Sequence, residues 1–484
     1  MASPVRLSDT TQADTTQEPG APENGAGPPG TLFTPPVPEP PPAALPWWGL
    51  VGAFRTNVIG GWPAPAYEEM ITQRRFLGRT SLLLNSPAAI RQVLVDDNAL
   101  FQRTRATMRI LRPILGDGLF ISDGDAWRHQ RRTLAPAFTP KASTLLTPHI
   151  LAAARETVAA LDAAKDQPVN LLATVQHLTL EIAGRTMFSL EMRRHGPTLR
   201  DLVAHYSKRL GRPHLLDFLL PLKYPSPQDF GRRRFGKVWM ALIEQIVAER
   251  HRVDDDAAPR DLFDLLMQAR DPETGATFTP LQLRDQVATM ITAGHETTGV
   301  ALFWALYLLA MAPEIQERVA AEADGVALEG DAAESPGDNP LSRLPYTRAV
   351  IDEAMRLYPP AFAIVRAARS DATVQGIPVE RGSLLIIAPW ILHRHKRLWQ
   401  NPGAFDPSRF LPGAPPVDRF AYLPFGIGPR VCIGAHFALT EATLVLASLV
   451  KAFRIEKLGT RPVMPLAVVT TQPDHAPEFR LQRR

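Results

Sequence analysis

Ten residues, Phe425 to Gly434 (F-G-I-G-P-R-V-C-I-G), surround the only cysteine of a 484-residue chain with three glycines, a proline and an arginine. Glycines let backbone approach a bulky planar ligand, and amides aimed at a sulfur stabilise a thiolate and tune its donor strength. That is the environment of a haem-thiolate iron, with Cys432 as the metal ligand. Blander readings exist for the same residues. A lone buried cysteine often serves only as a small apolar side chain. A dinucleotide-binding loop through Gly426 and Gly428 would need a third glycine where Val431 stands. His436 lies one helical turn beyond Cys432, a spacing that suits two zinc ligands, yet no second cysteine completes a structural site.

A second polar constellation interrupts an apolar stretch: A-G-H-E-T-T, residues 293–298. It places an acid, two alcohols and a glycine where apolar side chains dominate. Gly294 allows something to approach closely, and a threonine or a water can divert the local hydrogen-bond ladder. The structural alternative is a kink in which Thr297 and Thr298 bond back to their own helix. A third feature, Glu353 and Arg356, is a carboxylate–guanidinium pair three residues apart. The same spacing at Glu191/Arg194 and Glu249/Arg252 reads as ordinary surface pairing. What separates Glu353 is its context, L-Y-P-P at 357–360 and F-D-P-S-R-F at 405–410.

These residues need elements to hold them. Thr279-Pro280-Leu281-Gln282 predicts a helix start, with threonine as N-cap, proline in the first turn and Gln282 reaching back as a capping-box partner. The pattern continues to about Ala312, before Pro313, and roughly 33 residues at about 1.5 Å each give roughly 50 Å. One helix of that length argues for a single large body organised around it. Strand-like pieces fall near Thr80–Leu84, Thr373–Val379 and Ser383–Ile387, and helix dominates elsewhere.

Composition sets the outer limits. With 45% hydrophobic residues the chain can bury a large core, and one cysteine excludes an internal disulfide and fits a reducing compartment. The first 46 residues hold 12 of the 47 prolines and one arginine, Arg6, against five acids. Such a leader is expected to be disordered or extended, and it has no apolar centre for a signal peptide. A transmembrane helix needs about 18 or more consecutive apolar residues; the longest apolar run, Gly299–Pro313, reads instead as a core helix. The basic clusters at 128–132 and 232–234 lack interleaved aromatics, which argues against nucleic acid. They read as solvated helical faces, with docking of an acidic electron carrier as the sharper alternative. The stretch 330–340 reads as an acidic surface loop.

Taken in order along the chain, these motifs resemble the cytochrome P-450 family. Its cysteine-ligand pattern F-x-x-G-x-R-x-C-x-G is met by Phe425, Gly428, Arg430, Cys432 and Gly434, and its oxygen-binding groove by Ala293, Gly294, Glu296 and Thr297. The resemblance implies that Cys432 is the axial ligand of haem b iron, that Thr297 steadies the oxygen being activated together with a water, and that Glu296 relays protons. His295 between them is structural. Arg409 is implied to complete a buried triad with Glu353 and Arg356 behind the haem. Trp127 and Arg131, matching W-x-x-x-R, with Arg366 and Arg430, are implied partners of the two haem carboxylates. Arg366 follows the Y-P-P turn at a position that varies in the family, and His395 stands where members often carry an acid.

The implied fold is α+β, mainly α with a smaller β subdomain, haem lying between the long helix and the cysteine loop. Residues 1–46 would be a leader and 47–484 the haem domain. The implied type is a soluble, cytoplasmic, monomeric bacterial enzyme without anchor or fused reductase. Its reaction would be monooxygenation of a hydrophobic small molecule with O2. Electrons would come from a separate ferredoxin or flavodoxin and its NAD(P)H-dependent reductase. A peroxide-driven haem-thiolate enzyme and a haem-based sensor are rival readings, and retention of Glu296 and Thr297 argues against both. By analogy the substrate pocket is lined from 103–119, from about 205–230, from 290–297, from 361–365 and near 468–470. Leu215–Leu220, apolar except for Asp217, reads either as an access lip or as packing between helices.

Overall fold

A computed structural model describes residues 32–46, 49, 52–53, 55–76, 78–164, 167–189, 195–250, 259–328 and 340–484. The first 31 residues, the acidic stretch 330–339, and Glu191, Arg194 and Arg252 lie outside the described residues. Residues 32–46, grouped with the leader on composition, run extended along the body. Phe33 and Val37 pack against the core, and the Phe405 N–H donates to the Phe33 carbonyl at 2.8 Å. The compact unit therefore starts at Leu32. Prolines preset the extended backbone there, and Phe33, Val37, the buried Pro35 and a second backbone bond, from the Ala64 N–H to the Pro41 carbonyl at 2.9 Å, hold it to the body.

The organising element is the helix Pro280–Met311, capped as its sequence predicts. The Thr279 hydroxyl accepts from the Gln282 N–H at 3.2 Å while the Gln282 side chain accepts from the Thr279 N–H at 2.9 Å. Every residue from Thr298 to Leu309 is buried, which is why that run has no apolar–polar period. Helices Leu171–Phe188, Ala435–Ala452 and Pro345–Leu357 pack around it. A close approach to the helix Leu171–Phe188 is made at Gly299, where a Cβ would stand 3.1 Å from Thr179 Oγ1. The Thr179 hydroxyl uses that closeness to donate to the His295 carbonyl at 3.0 Å. Taken singly, only Ala435–Ala452 among the described helices is long and apolar enough to cross a membrane, and 61% of it is buried inside the protein.

The β-structure is small and scattered. Strands β1 (Ile71–Phe76), β2 (Arg79–Leu84), β3 (Phe101–Gln102), β4 (Ile364–Ala368) and β7 (Leu384–Ile387) form one sheet in the order β1-β2-β7-β4-β3. Strands β5 (Ala372–Val374) and β6 (Ile377–Val379) make a hairpin whose turn residues Gln375 and Gly376 both have positive φ, 48° and 81°. Further on, β8 (Phe453–Lys457) pairs with β11 (Phe479–Arg483), and β9 (Pro465–Ala467) with β10 (Thr471–Pro473). The β9–β10 hairpin is fastened to the long helix, since Trp304 Nε1 donates to the Thr471 carbonyl at 2.7 Å. Trp304 itself stacks on Tyr358 with ring centres 3.7 Å apart.

Both basic clusters depart from a purely solvated face. Arg132 and His129 converge on Asp271, which has no exposed side-chain surface. Arg232 is fully buried and pairs with the equally buried Asp217 at 2.7 Å, while Arg233 and Arg234 stay exposed. Asp217, the one polar residue of the Leu215–Leu220 stretch, thus turns inward, and Leu216 and Leu219 face solvent.

Candidate functional site

The long helix and the loop ahead of Ala435–Ala452 face each other across a cavity of about 580 Å³. Ala293, Gly294, Glu296 and Thr297 line it from one side; Phe425, Arg430, Cys432 and Gly434 line it from the other. Trp127, Arg131 and Arg366 complete the ring. Of the five segments expected to line a substrate pocket, four do so broadly, at 103–120, 290–297, 360–366 and 469–470. From the fifth only Tyr206 and Ser207 contribute, with Phe235 and Trp239 of the helix Pro227–Arg250 taking that wall instead.

The cysteine loop is held by its own backbone. The Cys432 N–H donates to the Phe425 carbonyl at 2.9 Å and the Val431 N–H to the Gly428 carbonyl at 3.0 Å. Gly428 has φ +79°, and a Cβ there would stand 2.2 Å from the Leu94 carbonyl oxygen, so no larger residue fits without moving that backbone. Arg131 Nη1 donates to the Val431 carbonyl at 2.9 Å. The Cys432 sulfur opens into the cavity while lying deep in the protein mass. Burial pushes its thiol up from the ordinary value, against the pull of the Gly434 N–H and the Arg131 charge. It stands just before the N-terminus of Ala435–Ala452, where the helix dipole favours an anion. A neighbouring acid, Glu441, is buried with Oε1 unpartnered among the described residues, and burial pushes its carboxyl well up.

Cations crowd the cavity's edge without enough anions. Arg366 is pushed down to about 10 by burial first and then by the charge of Arg430, with Asp123 opposing. Arg103, which sequence reasoning placed only among lining residues, is lowered well below its usual value by burial and by Arg366 and Arg430. Its Nε is buried without a partner, and its guanidinium lies 4.0 Å from the Phe120 ring centre. Arg430 stacks over Trp127 at 4.5 Å and donates to the Ser122 carbonyl at 2.9 Å. Among the described residues Asp123 is the carboxylate paired with these cations, shared between Arg430 and Arg369. Such a deficit suits a flat ligand carrying two carboxylates, and a sulfur donor at the same cavity suits its iron. The residues present fit haem b.

On the helix side, Thr297 Oγ1 donates to the Ala293 carbonyl at 2.6 Å. The bond back to its own helix is therefore made, and the hydroxyl oxygen keeps its lone pairs for a donor in the cavity. Against Gly294 a Cβ would meet only Met187 Cε, at 3.4 Å, so the space beside it is cavity and not packed backbone. His295 is buried, with Nδ1 2.9 Å from the Ile291 carbonyl, and has a structural place. Glu296 has two partners the sequence did not announce. Thr470 Oγ1 donates to Glu296 Oε1 at 3.0 Å and Gln472 Nε2 to the same oxygen at 3.1 Å. Gln472 also donates to Thr470 Oγ1 at 2.9 Å. Both donors fall on Oε1, leaving Oε2 free of them.

Behind the cysteine loop, Arg356 spends all its donors. Its Nε and Nη2 grip Glu353 at 2.6 and 2.7 Å, and the remaining hydrogens reach the carbonyls of His393, Pro402 and Ala404. Arg409 Nε lies 3.5 Å from Glu353 Oε1, so the three residues meet, with Glu353 and Arg356 fully buried. His393 accepts from the Leu423 N–H at 2.8 Å at the start of the cysteine loop. His395, in place of an acid, accepts from the Arg397 N–H at 3.3 Å and contacts the Glu69 carbonyl at 3.2 Å. Glu353→Gln strips a buried guanidinium of its counterion, and the expected loss is about 3–5 kcal/mol. A urea midpoint unchanged from the parent protein would contradict that assignment.

The sequence profile of the family described as Cytochrome P450 matches residues 38–476. A cyclooctat-9-en-7-ol 5-monooxygenase of Streptomyces melanosporofaciens is 33% identical over 81% of this chain and 83% of its own length. A pentalenene oxygenase of Streptomyces avermitilis is 31% identical over 82% of this chain and 87% of its own. Among solved structures, the cytochrome P450DA heme domain superposes with a TM-score of 0.78 at 26% identity, covering 93% of this chain and 98% of that one.

Proposed function

The chain belongs to the cytochrome P450 family, and from that premise we propose a division of labour among its residues. The protein is a haem-dependent monooxygenase that hydroxylates a hydrophobic small molecule, drawing electrons from a redox partner. When bound, haem b supplies activation of O2 and transfer of one oxygen atom to a C–H bond. Cys432 would ligate its iron. Trp127, Arg131, Arg366 and Arg430, joined by Arg103, would hold its two carboxylates. Ala293 and Gly294 would leave room for it beside the long helix, and Phe425 and Gly434 shape the loop around the sulfur. The observation that carries this reading is the cavity shared by the Cys432 sulfur and the polar turn Ala293–Thr297.

Proton movement falls to two side chains. With its own hydrogen committed to the Ala293 carbonyl, Thr297 Oγ1 accepts from a water and orients it in the cavity. Glu296 holds or passes a proton at Oε2, while Thr470 and Gln472 fix the carboxylate through Oε1. Glu353, Arg356 and Arg409 brace the backbone that carries the cysteine loop.

The finer identity is proposed as a soluble, monomeric, cytoplasmic enzyme served by a ferredoxin or flavodoxin and its reductase, with the haem domain expected over residues 47–484 extended back to Leu32. The apolar lining and the compounds named for its relatives, cyclooctat-9-en-7-ol and pentalenene, support a hydrocarbon skeleton as substrate. NADPH-dependent oxygen uptake with surrogate ferredoxin and reductase is expected to rise on adding such a compound and to yield hydroxylated product. Product formed only with hydrogen peroxide would favour the peroxide-driven alternative.

A further inference from the structure

A second cavity, of about 460 Å³, lies where β2, the β3 strand end, the β6–β7 turn and the short helix Leu215–Leu219 meet. Four arginines line it, Arg79, Arg103, Arg105 and Arg381, and among the described residues no carboxylate does. None of the four forms an ion pair among the described residues. Glu380, next to Arg381 in sequence, is exposed and forms no ion pair among the described residues, and Asp371 accepts from the Arg381 backbone N–H at 2.7 Å. Room for one guanidinium is built into the backbone: a Cβ on Gly382 would stand 1.9 Å from Arg79 Nη1, and that glycine has φ +86°. Arg103 borders this cleft and the catalytic cavity alike. The opposite wall is apolar, with Phe218 and the exposed Leu219.

Converging guanidiniums repel one another unless an anion lies among them, and their planar forks match carboxylate and phosphate oxygens. An apolar wall beside them suits a chain leading inward. We propose that this cleft is a subsite for an organic anion: the acidic end of an amphiphilic substrate whose hydrocarbon body enters the catalytic cavity. The inference rests on the proposed monooxygenase function and narrows its substrate class. Arg79, Arg105 and Arg381 supply the charge at the mouth, and Arg103 stands between head group and cavity. Because the three outer arginines are exposed, their combined effect is moderate and falls with added salt.

The test is isothermal titration of the haem-loaded protein with dodecanoate, dodecyl phosphate and dodecan-1-ol at low ionic strength. Both anions, or one of them, are expected to bind about tenfold or more tightly than the alcohol, and the larger margin names the head group. In an R79Q/R105Q/R381Q variant the margin should vanish while alcohol affinity is kept. Equal affinities in the parent protein, no heat from either anion, or a margin that survives in the variant would each overturn the proposal. The carbon monoxide spectrum of the same preparations reports haem ligation separately. A normal spectrum with no anion preference sinks the subsite alone, whereas a missing haem-thiolate band sinks the underlying function.

Discussion

Cys432→His is expected to abolish the strongly red-shifted Soret band of the dithionite-reduced, carbon monoxide-treated protein and to lower hydroxylation by at least about a thousandfold, equivalent to about 4 kcal/mol of barrier. The chain has no other sulfur of its kind, since Cys432 is its single cysteine. The loop around it is fixed by the Phe425 and Val431 backbone bonds and not by the thiol itself. An imidazole there still offers the metal a donor, but a neutral one, so haem retention and thiolate signature separate. If the variant keeps both the band and the turnover, Cys432 is a core residue and the assignment of the cavity falls with it.

The second large effect is expected from the polar turn of the long helix. Thr297→Ala should leave NADPH consumption within a few-fold while the yield of product per NADPH drops about tenfold or more, with hydrogen peroxide accounting for the difference. Glu296→Gln should instead slow oxygen consumption, in the range of about 10²–10⁴ for a lost acid–base group. The two variants thus differ in which step they spoil. Gln472→Leu serves as the check on positioning. It leaves Glu296 chemically intact but removes one of its two donors, so its loss should be smaller than that of Glu296→Gln and should alter the solvent deuterium isotope effect. Unchanged coupling in Thr297→Ala would remove that residue from the proton path.

Those side chains also show where a sequence speaks and where it is silent. The cysteine loop, the A-G-H-E-T-T turn and the Glu353/Arg356 pair are short patterns at fixed spacing, and the chemistry of each is written within a few residues. The start of the long helix was equally legible, because a capping box is a local device. Thr470 and Gln472 were not, being ordinary polar residues that meet Glu296 only because the β9–β10 hairpin folds back some 170 residues away in sequence. Arg103 went unrecognised for the same reason, since its environment is made by Arg366 and Arg430 on other segments. Arg232 read as one of a surface run of three, and only its pairing with Asp217 shows that it points inward. Most short strands were missed because two- to five-residue segments such as β3, β9 and β11 gain their identity from neighbours, not from an alternating pattern of their own.

One consequence concerns how this enzyme could be wired. A chain whose only thiol opens inward to the cavity presents no sulfhydryl on its outer skin, so purified molecules have nothing with which to cross-link in air. A cysteine introduced at any chosen surface position would then be the sole exposed handle on haem-loaded protein. A photosensitiser or an electrode linker could be attached there at one defined point, and the path of artificial electrons chosen by the engineer without first removing native thiols.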